Sequence, residues 1–227
     1  MTSEVNGIFL AAHELKSPLA LMRQLAFSLD SGQPEQLQRT KSQLISVSER
    51  AIKQVNDLTK IARLEDGLFQ LEPVAVRAVC DEVTKELRQL FHYNHRQLDF
   101  NYRNKSRLVI ANHDLLYSVV YNFCINAMHY SEPGTESSLS VQDYQGRVKI
   151  TIRDFGPALP MPVWRELKQG WIDQPTSIAM RPGSSGLGLY IASKFSKYMH
   201  ADVGAVRHRD GTSFYVSLPV STQTSFF

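Results

Sequence analysis

From Ile8 to about Asp66 the apolar positions recur at helical spacing. Ile8, Ala12, Leu15, Leu19, Met22, Ala26 and Leu29 alternate steps of four and three. That is a heptad seam, the pattern of a helix lying along a partner helix. Ser31-Gly32-Gln33-Pro34 interrupts it, with glycine near one helix end and proline opening the next helix. The second helix carries Leu44, Val47, Ala51, Val55, Leu58 and Ala62 on one face, and Asp66-Gly67 closes it. A single helical hairpin of this size buries too little apolar surface. A homodimer, giving a four-helix bundle, is the simplest way to cover the seam; the alternative is a hairpin packed on the chain's own second domain.

Beyond Leu68 the period changes. Alternation predicts strands at Phe69–Val74, Leu98–Tyr102, Leu108–Ala111, Leu139–Asp143, Val148–Arg153, Asp202–Arg207 and Ser213–Leu218. Helices are predicted at Val76–Phe91, His113–Tyr130 and Leu187–Met199; in the first, Val76, Val79, Val83, Leu87 and Leu90 share a face. The expected fold class is α+β: a helical hairpin over residues 1–67, then an α/β sandwich over 68–227 with helices on one face of a mixed sheet. Pro157 to Gly183 has no clean period and reads as a long irregular loop, a lid.

Composition narrows the class. The 227 residues are 43% hydrophobic, and 25 Lys+Arg against 22 Asp+Glu leave a formal charge of +3. That mild excess, with no dense basic run, does not describe a nucleic-acid binder. No apolar stretch reaches the roughly 18 residues of a membrane span, so no direct membrane contact is expected of this stretch. Cys80 and Cys124 form neither a Cys-x-x-Cys pair nor a zinc set; they read as buried thiols in a reducing, cytoplasmic compartment.

The most informative stretch is Phe9-Leu10-Ala11-Ala12-His13-Glu14-Leu15-Lys16-Ser17-Pro18-Leu19. His13 lies on the flank of the seam, where it can meet solvent or another domain. Pro18 is costly inside a helix, by about 3 kcal/mol or more, and predicts a local kink. Glu14 is placed to hold one ring proton of His13 and leave the other nitrogen nucleophilic. His-Glu-x-x-His zinc chemistry fails, because the fifth residue is Ser17.

Three further stretches carry candidate chemistry. Asn122, Asn126 and His129 fall at i, i+4 and i+7 on one helical face, followed by Tyr130. Two carboxamides there can offer oxygens to Mg2+ and its waters, with a basic side chain toward phosphate. Asp154-Phe155-Gly156 follows a strand; a carboxylate there can accept from the amine of adenine, and Gly156 lets backbone approach the base. Gly183-Ser184-Ser185-Gly186-Leu187-Gly188 runs into a helix, a cradle for anions on free N–H groups. No Gly-Lys-(Ser/Thr) of a Walker loop and no His-Arg-Asp loop accompanies them. Taken singly, each has a plain counterpart: a surface histidine, capping asparagines, a turn, a flexible linker.

Together, His13-Glu14-Leu15-Lys16-Ser17-Pro18-Leu19 resembles the H-box of sensor histidine kinases, and the three later stretches resemble their N, G1 and G2 boxes in the same order. The resemblance covers about residues 8 to 220. It implies ATP and Mg2+ as cofactors, His13 as phosphoacceptor, Glu14 as assisting base, and Ser17 as an aid to hydrolysis of a phosphorylated response regulator. It implies Asn126 as metal ligand, with Asn122, His129, Asp154, Gly156, Gly183, Ser185, Gly186, Leu187 and Gly188 around the nucleotide; apart from the resemblance, Tyr130 is expected to pack on the nucleotide and Arg181 to reach phosphate. A response regulator receiver domain is the implied partner. This chain departs from the pattern at His129 for lysine, Ile125 for an acid, Ala158 for the second glycine of G1, and Ser184 for a glycine of G2. Gly211-Thr212 resembles the last glycine motif and reads as a structural turn. The hinge between domains is expected at Gly67 to Pro73. Rival readings are a catalytically silent dimeric signalling module and an ATPase of the gyrase and Hsp90 superfamily.

Overall fold

The computed structural model describes residues 2–30, 34–102, 107–169 and 186–222, and in the first helix its side chains from Leu15 onward. Contacts divide the chain into two compact units, with one division between Ala62 and Arg63.

The first unit is a helical hairpin. Helix α1 spans Thr2–Phe27 and continues through Pro18, a 3-10 turn follows at Ser28–Asp30, and α2 spans Pro34–Ala62. Proline opens α2 at the position where its missing N–H costs nothing. Pro18 is buried rather than turned to solvent. Asp57, 2% exposed, keeps its charge paired with Lys60 at 3.7 Å. The predicted seams are only partly covered: Ala51 is buried, but Leu19 is 58% and Val55 42% exposed, and outside the seams Leu37, Ile45 and Ile52 are also exposed.

The second unit begins with a 3-10 turn at Leu64–Asp66 that Gly67 closes in the left-handed region, at φ 68°. Strand β1 is Glu72–Ala75, α3 Val76–Tyr93, β2 Gln97–Tyr102, β3 Leu108–Ala111 and α4 His113–Tyr130. Then come β4 Glu136–Tyr144, β5 Arg147–Arg153, α5 Met161–Gln169, α6 Leu187–Tyr198, β6 Asp202–His208 and β7 Gly211–Pro219. Strands β1 and β3 pair antiparallel as a small sheet; the main sheet runs β2-β4-β5-β7-β6, parallel only at β2–β4.

Alternation along the central strands sorts this sheet into two faces. Leu139, Ile152 and Phe214 are cross-strand neighbours, as are Val141, Ile150 and Val216, and all six are buried. Against this face lies α4, whose Phe123 ring stacks on Phe214 with centroids 5.7 Å apart. The opposite face carries Ser140, Thr151 and Tyr215, with the Lys149 ammonium 3.8 Å from the Tyr215 ring centre. The sheet is therefore mixed, with its helices on the apolar face, as the sequence predicts.

Two readings need correction. The segment from Pro157 is not wholly irregular: α5 occupies Met161–Gln169, with Trp164 N–H bonded to the Pro160 carbonyl at 2.9 Å. Pro162 lies in the first turn of that helix, which tolerates proline. The first strand starts at Glu72 rather than Phe69. Phe69 is held instead by α6: the Tyr198 hydroxyl donates to its carbonyl at 3.0 Å, and the two rings meet edge to face at 6.3 Å.

Candidate active site

Helix α4 positions the first group of candidates. The Asn112 side chain caps it by accepting the Leu115 N–H at 3.2 Å. From Leu115 to Met128 nearly every residue is buried; the exceptions are Asn122 and Asn126. His129 is exposed and Tyr130 half-buried. An otherwise apolar helix thus opens along one narrow polar stripe, Asn122–Asn126–His129, as the spacing predicts. Asn122 donates from Nδ2 to the Ser118 carbonyl at 2.8 Å. Its carboxamide oxygen then faces α6, where a Cβ built on Gly188 would lie 3.1 Å away. Gly188 lets the start of α6 approach α4 this closely, and Gly186 just before it adopts φ 69°, the left-handed region.

The Asp154 group is built by the sheet. Asp154 lies one residue beyond the end of β5 and is 1% exposed. Its Oδ1 accepts from Thr212 N–H at 3.0 Å and Gly156 N–H at 3.3 Å. Its own N–H donates to the Thr212 carbonyl at 2.9 Å. A carboxylate buried this deeply needs such donors, and these two backbone amides help fix its direction. Gly156 must lack a side chain: a Cβ there would overlap the Tyr130 carbonyl at the end of α4. Gly211, at φ 133°, likewise leaves no room for a Cβ beside Asp154.

The tertiary structure therefore brings Asn122 to Gly188, Tyr130 to Gly156, and Asp154 to Thr212. Two sequence-distant motifs meet α4, Gly188 at Asn122 in its middle and Gly156 at Tyr130 at its end. Sequence reasoning treated Gly211-Thr212 only as a turn; it is wired directly to Asp154 through the pairing of β5 with β7. Among the other predicted residues, Leu187 is buried at the start of α6, and Ser17 is exposed on α1. The side chains of His13 and Glu14 and the residues Arg181, Gly183 and Ser185 lie outside what the structure describes. No cluster of three or more His, Cys, Asp or Glu suited to a metal occurs among the described residues. None of the described helices is long and apolar enough to cross a membrane.

Residues 111–222 match the family of histidine kinase-, DNA gyrase B- and HSP90-like ATPases. The probable sensor histidine kinase TcrY of Mycobacterium tuberculosis is 27% identical over 214 residues, covering 92% of this chain and 44% of that protein. The chain is similar to sensor histidine kinases over nearly its whole length. It spans less than half the length of that curated relative. Solved structures agree on the fold. Full-length ShkA in complex with AMPPNP superposes with a TM-score of 0.64 at 22% identity, covering 99% of this chain and 47% of that one. The histidine kinase ThkA, solved with the response regulator protein TrrA, gives a TM-score of 0.64 at 16% identity, covering 92% of this chain and 60% of that one.

Proposed function

We propose that this chain is an ATP-dependent protein histidine kinase that phosphorylates its own His13 and passes the phosphoryl group to an aspartate of a response regulator receiver domain. The observation that carries the nucleotide half is the buried Asp154, oriented by the Gly156 and Thr212 amides in a loop whose Gly156 meets the end of α4 at Tyr130. In this reading Asp154 accepts from the adenine amine, and Gly156 gives the base room. Asn126 would hold Mg2+, with Asn122 beside it. Two carboxamides on a half-exposed stripe suit a cation that keeps several waters. When bound, Mg2+ supplies charge neutralisation at the phosphates. His129 and Arg181 meet phosphate, Tyr130 packs on the nucleotide, and the N–H groups around Gly183, Ser185, Gly186, Leu187 and Gly188 cradle it.

Transfer requires the His13 imidazole in line with the γ-phosphorus. Glu14 holds the opposite ring proton and steadies the charge that develops as the N–P bond forms and the bond to the ADP leaving oxygen breaks. Ser17, exposed one helical turn after His13, is available for hydrolysis of the phosphorylated regulator. Residues 1–67 are the dimerisation and phosphotransfer hairpin and 68–227 the catalytic domain. The outward-facing Leu19, Leu37, Ile45, Ile52 and Val55 are then covered by a second copy. The complex of ThkA with TrrA supports the choice of partner by likeness of fold. A cytoplasmic location follows from that partner and from the free, buried Cys80 and Cys124.

The test is incubation with γ-labelled ATP and Mg2+. The wild type takes up label that is acid-labile and alkali-stable; His13→Ala takes up none, and Asn126→Ala binds Mg-ATP weakly and labels slowly. Label persisting in His13→Ala overturns the acceptor assignment. ATP binding without any label leaves a silent nucleotide-binding signalling module instead.

A further inference from the structure

Arg153, the last residue of β5, stands immediately before Asp154, and no motif claims it. Its side chain is 15% exposed. One guanidinium nitrogen, Nη1, donates to the Asp154 carbonyl. The other, Nη2, reaches the β6–β7 turn and pairs with the Asp210 carboxylate at 2.7 Å, with the Asp210 carbonyl 3.4 Å away. The guanidinium plane lies over the Phe155 ring, 4.5 Å from its centre. Gly211 makes the arrangement possible, because a Cβ there would come within 2.6 Å of Nη1 and 2.8 Å of Asp154 Oδ1.

Each contact bears on the same carboxylate. The amides of Gly156 and Thr212 donate to Asp154 Oδ1. Thr212 follows the turn that Arg153 ties down through Asp210. Gly156 follows Phe155, on which Arg153 lies. One planar cation with a fixed fork of donors thus spans the two loops that aim Asp154, and arginine rather than lysine fits that task.

We infer that Arg153, anchored by Asp210, is a positioning residue that holds Asp154 in the direction needed to recognise the amino group of a purine. It touches no nucleotide and acts only through Asp154. The inference rests on the reading of Asp154 as the base-recognising carboxylate and goes beyond it by naming what gives that carboxylate its selectivity.

Binding of ATP and of purine riboside triphosphate, which lacks the 6-amino group, separates the two. In the wild type ATP binds more tightly, and Asp154→Asn erases that preference. Arg153→Ala should reduce the preference about tenfold while the affinity for purine riboside triphosphate stays within about twofold. Arg153→Lys, which keeps the charge but not the fork, and Asp210→Asn should each fall between, so a poorly folded alanine variant does not end the test. Equal loss of affinity for both nucleotides in these variants means a merely structural arginine and overturns the inference. So does an unchanged preference. Should Asp154→Asn itself leave the preference intact, the reading of Asp154 as the base contact fails, and the inference with it; should only the Arg153 and Asp210 variants leave it intact, Asp154 stands and the positioning role alone is lost.

Discussion

Replacing Gly156 by alanine adds one methyl group where the end of α4 passes the Asp154 loop. The new Cβ would overlap the Tyr130 carbonyl oxygen and come within 2.6 Å of its carbonyl carbon. Both atoms are main chain, so no rotamer change relieves the clash. Either α4 frays at its last turn or the loop retreats. Overpacking of this kind costs about 1–3 kcal/mol in stability. The loop is the softer element, and its retreat carries the Gly156 amide away from Asp154 Oδ1, now 3.3 Å from it. A hydrogen bond to a charged group is worth about 1.5–3 kcal/mol. If that bond contributes to the aim of Asp154, ATP affinity falls by roughly 10- to 100-fold. Titration calorimetry with ATP, beside a urea melt for stability, measures both effects. Gly134→Ala and Gly146→Ala are the controls: they sit at φ 83° and 75° with nothing within 4 Å of a new Cβ. An alanine there meets only left-handed strain of about 1–2 kcal/mol, and ATP affinity should not change. Wild-type ATP affinity in Gly156→Ala would refute the reasoning, because the close approach of α4 to the loop would then have no bearing on the site.

Other consequences concern the body of the second unit. Phe123 is fully buried and stacked on Phe214, so Phe123→Ala should destabilise the domain by about 3–5 kcal/mol in denaturant melts; a loss under about 1 kcal/mol would mean that the packing of α4 on the sheet is misread. His208 bonds through Nε2 with Ser213 Oγ at 2.9 Å, and burial, with the nearby Arg153 charge, holds its pKa below the ordinary histidine value against the pull of Asp210. The native state therefore binds fewer protons than the unfolded chain once pH falls below about 6.5, and stability drops through that region until pH passes the depressed native value. His208→Gln should flatten this part of the stability profile between pH 7.5 and 5.5; an unaltered slope would assign it to other groups.

Much of the architecture was legible in advance because it is local. Helix α4 falls on its predicted bounds, His113–Tyr130, since a capping Asn112 precedes an apolar run long enough to exclude a strand. Strands β5 and β7 follow from alternation, with one face against the helices and one polar. Helix α5 escaped because its nine residues are too few to set up a clean period, and Pro162 in its first turn obstructs no hydrogen bond. Phe69 escaped because its partner, Tyr198, is 129 positions away.

The order of the motifs, the amphipathic hairpin with its seam, and the polar stripe on α4 are properties of residue types at fixed spacing, and the chain carries them before it folds. Which strands become neighbours is another matter, because pairing energy depends on partners far apart in the chain. Only the antiparallel register of β5 with β7 sets Thr212 and the Asp210 turn beside Asp154. Only the packing of α4 on its neighbours makes Gly156 a place where a side chain cannot enter and leaves Gly188 in tight contact with Asn122. Spacing along a helix is dictated by its pitch, whereas the aim of a buried carboxylate is decided by whichever distant amides the fold brings to it.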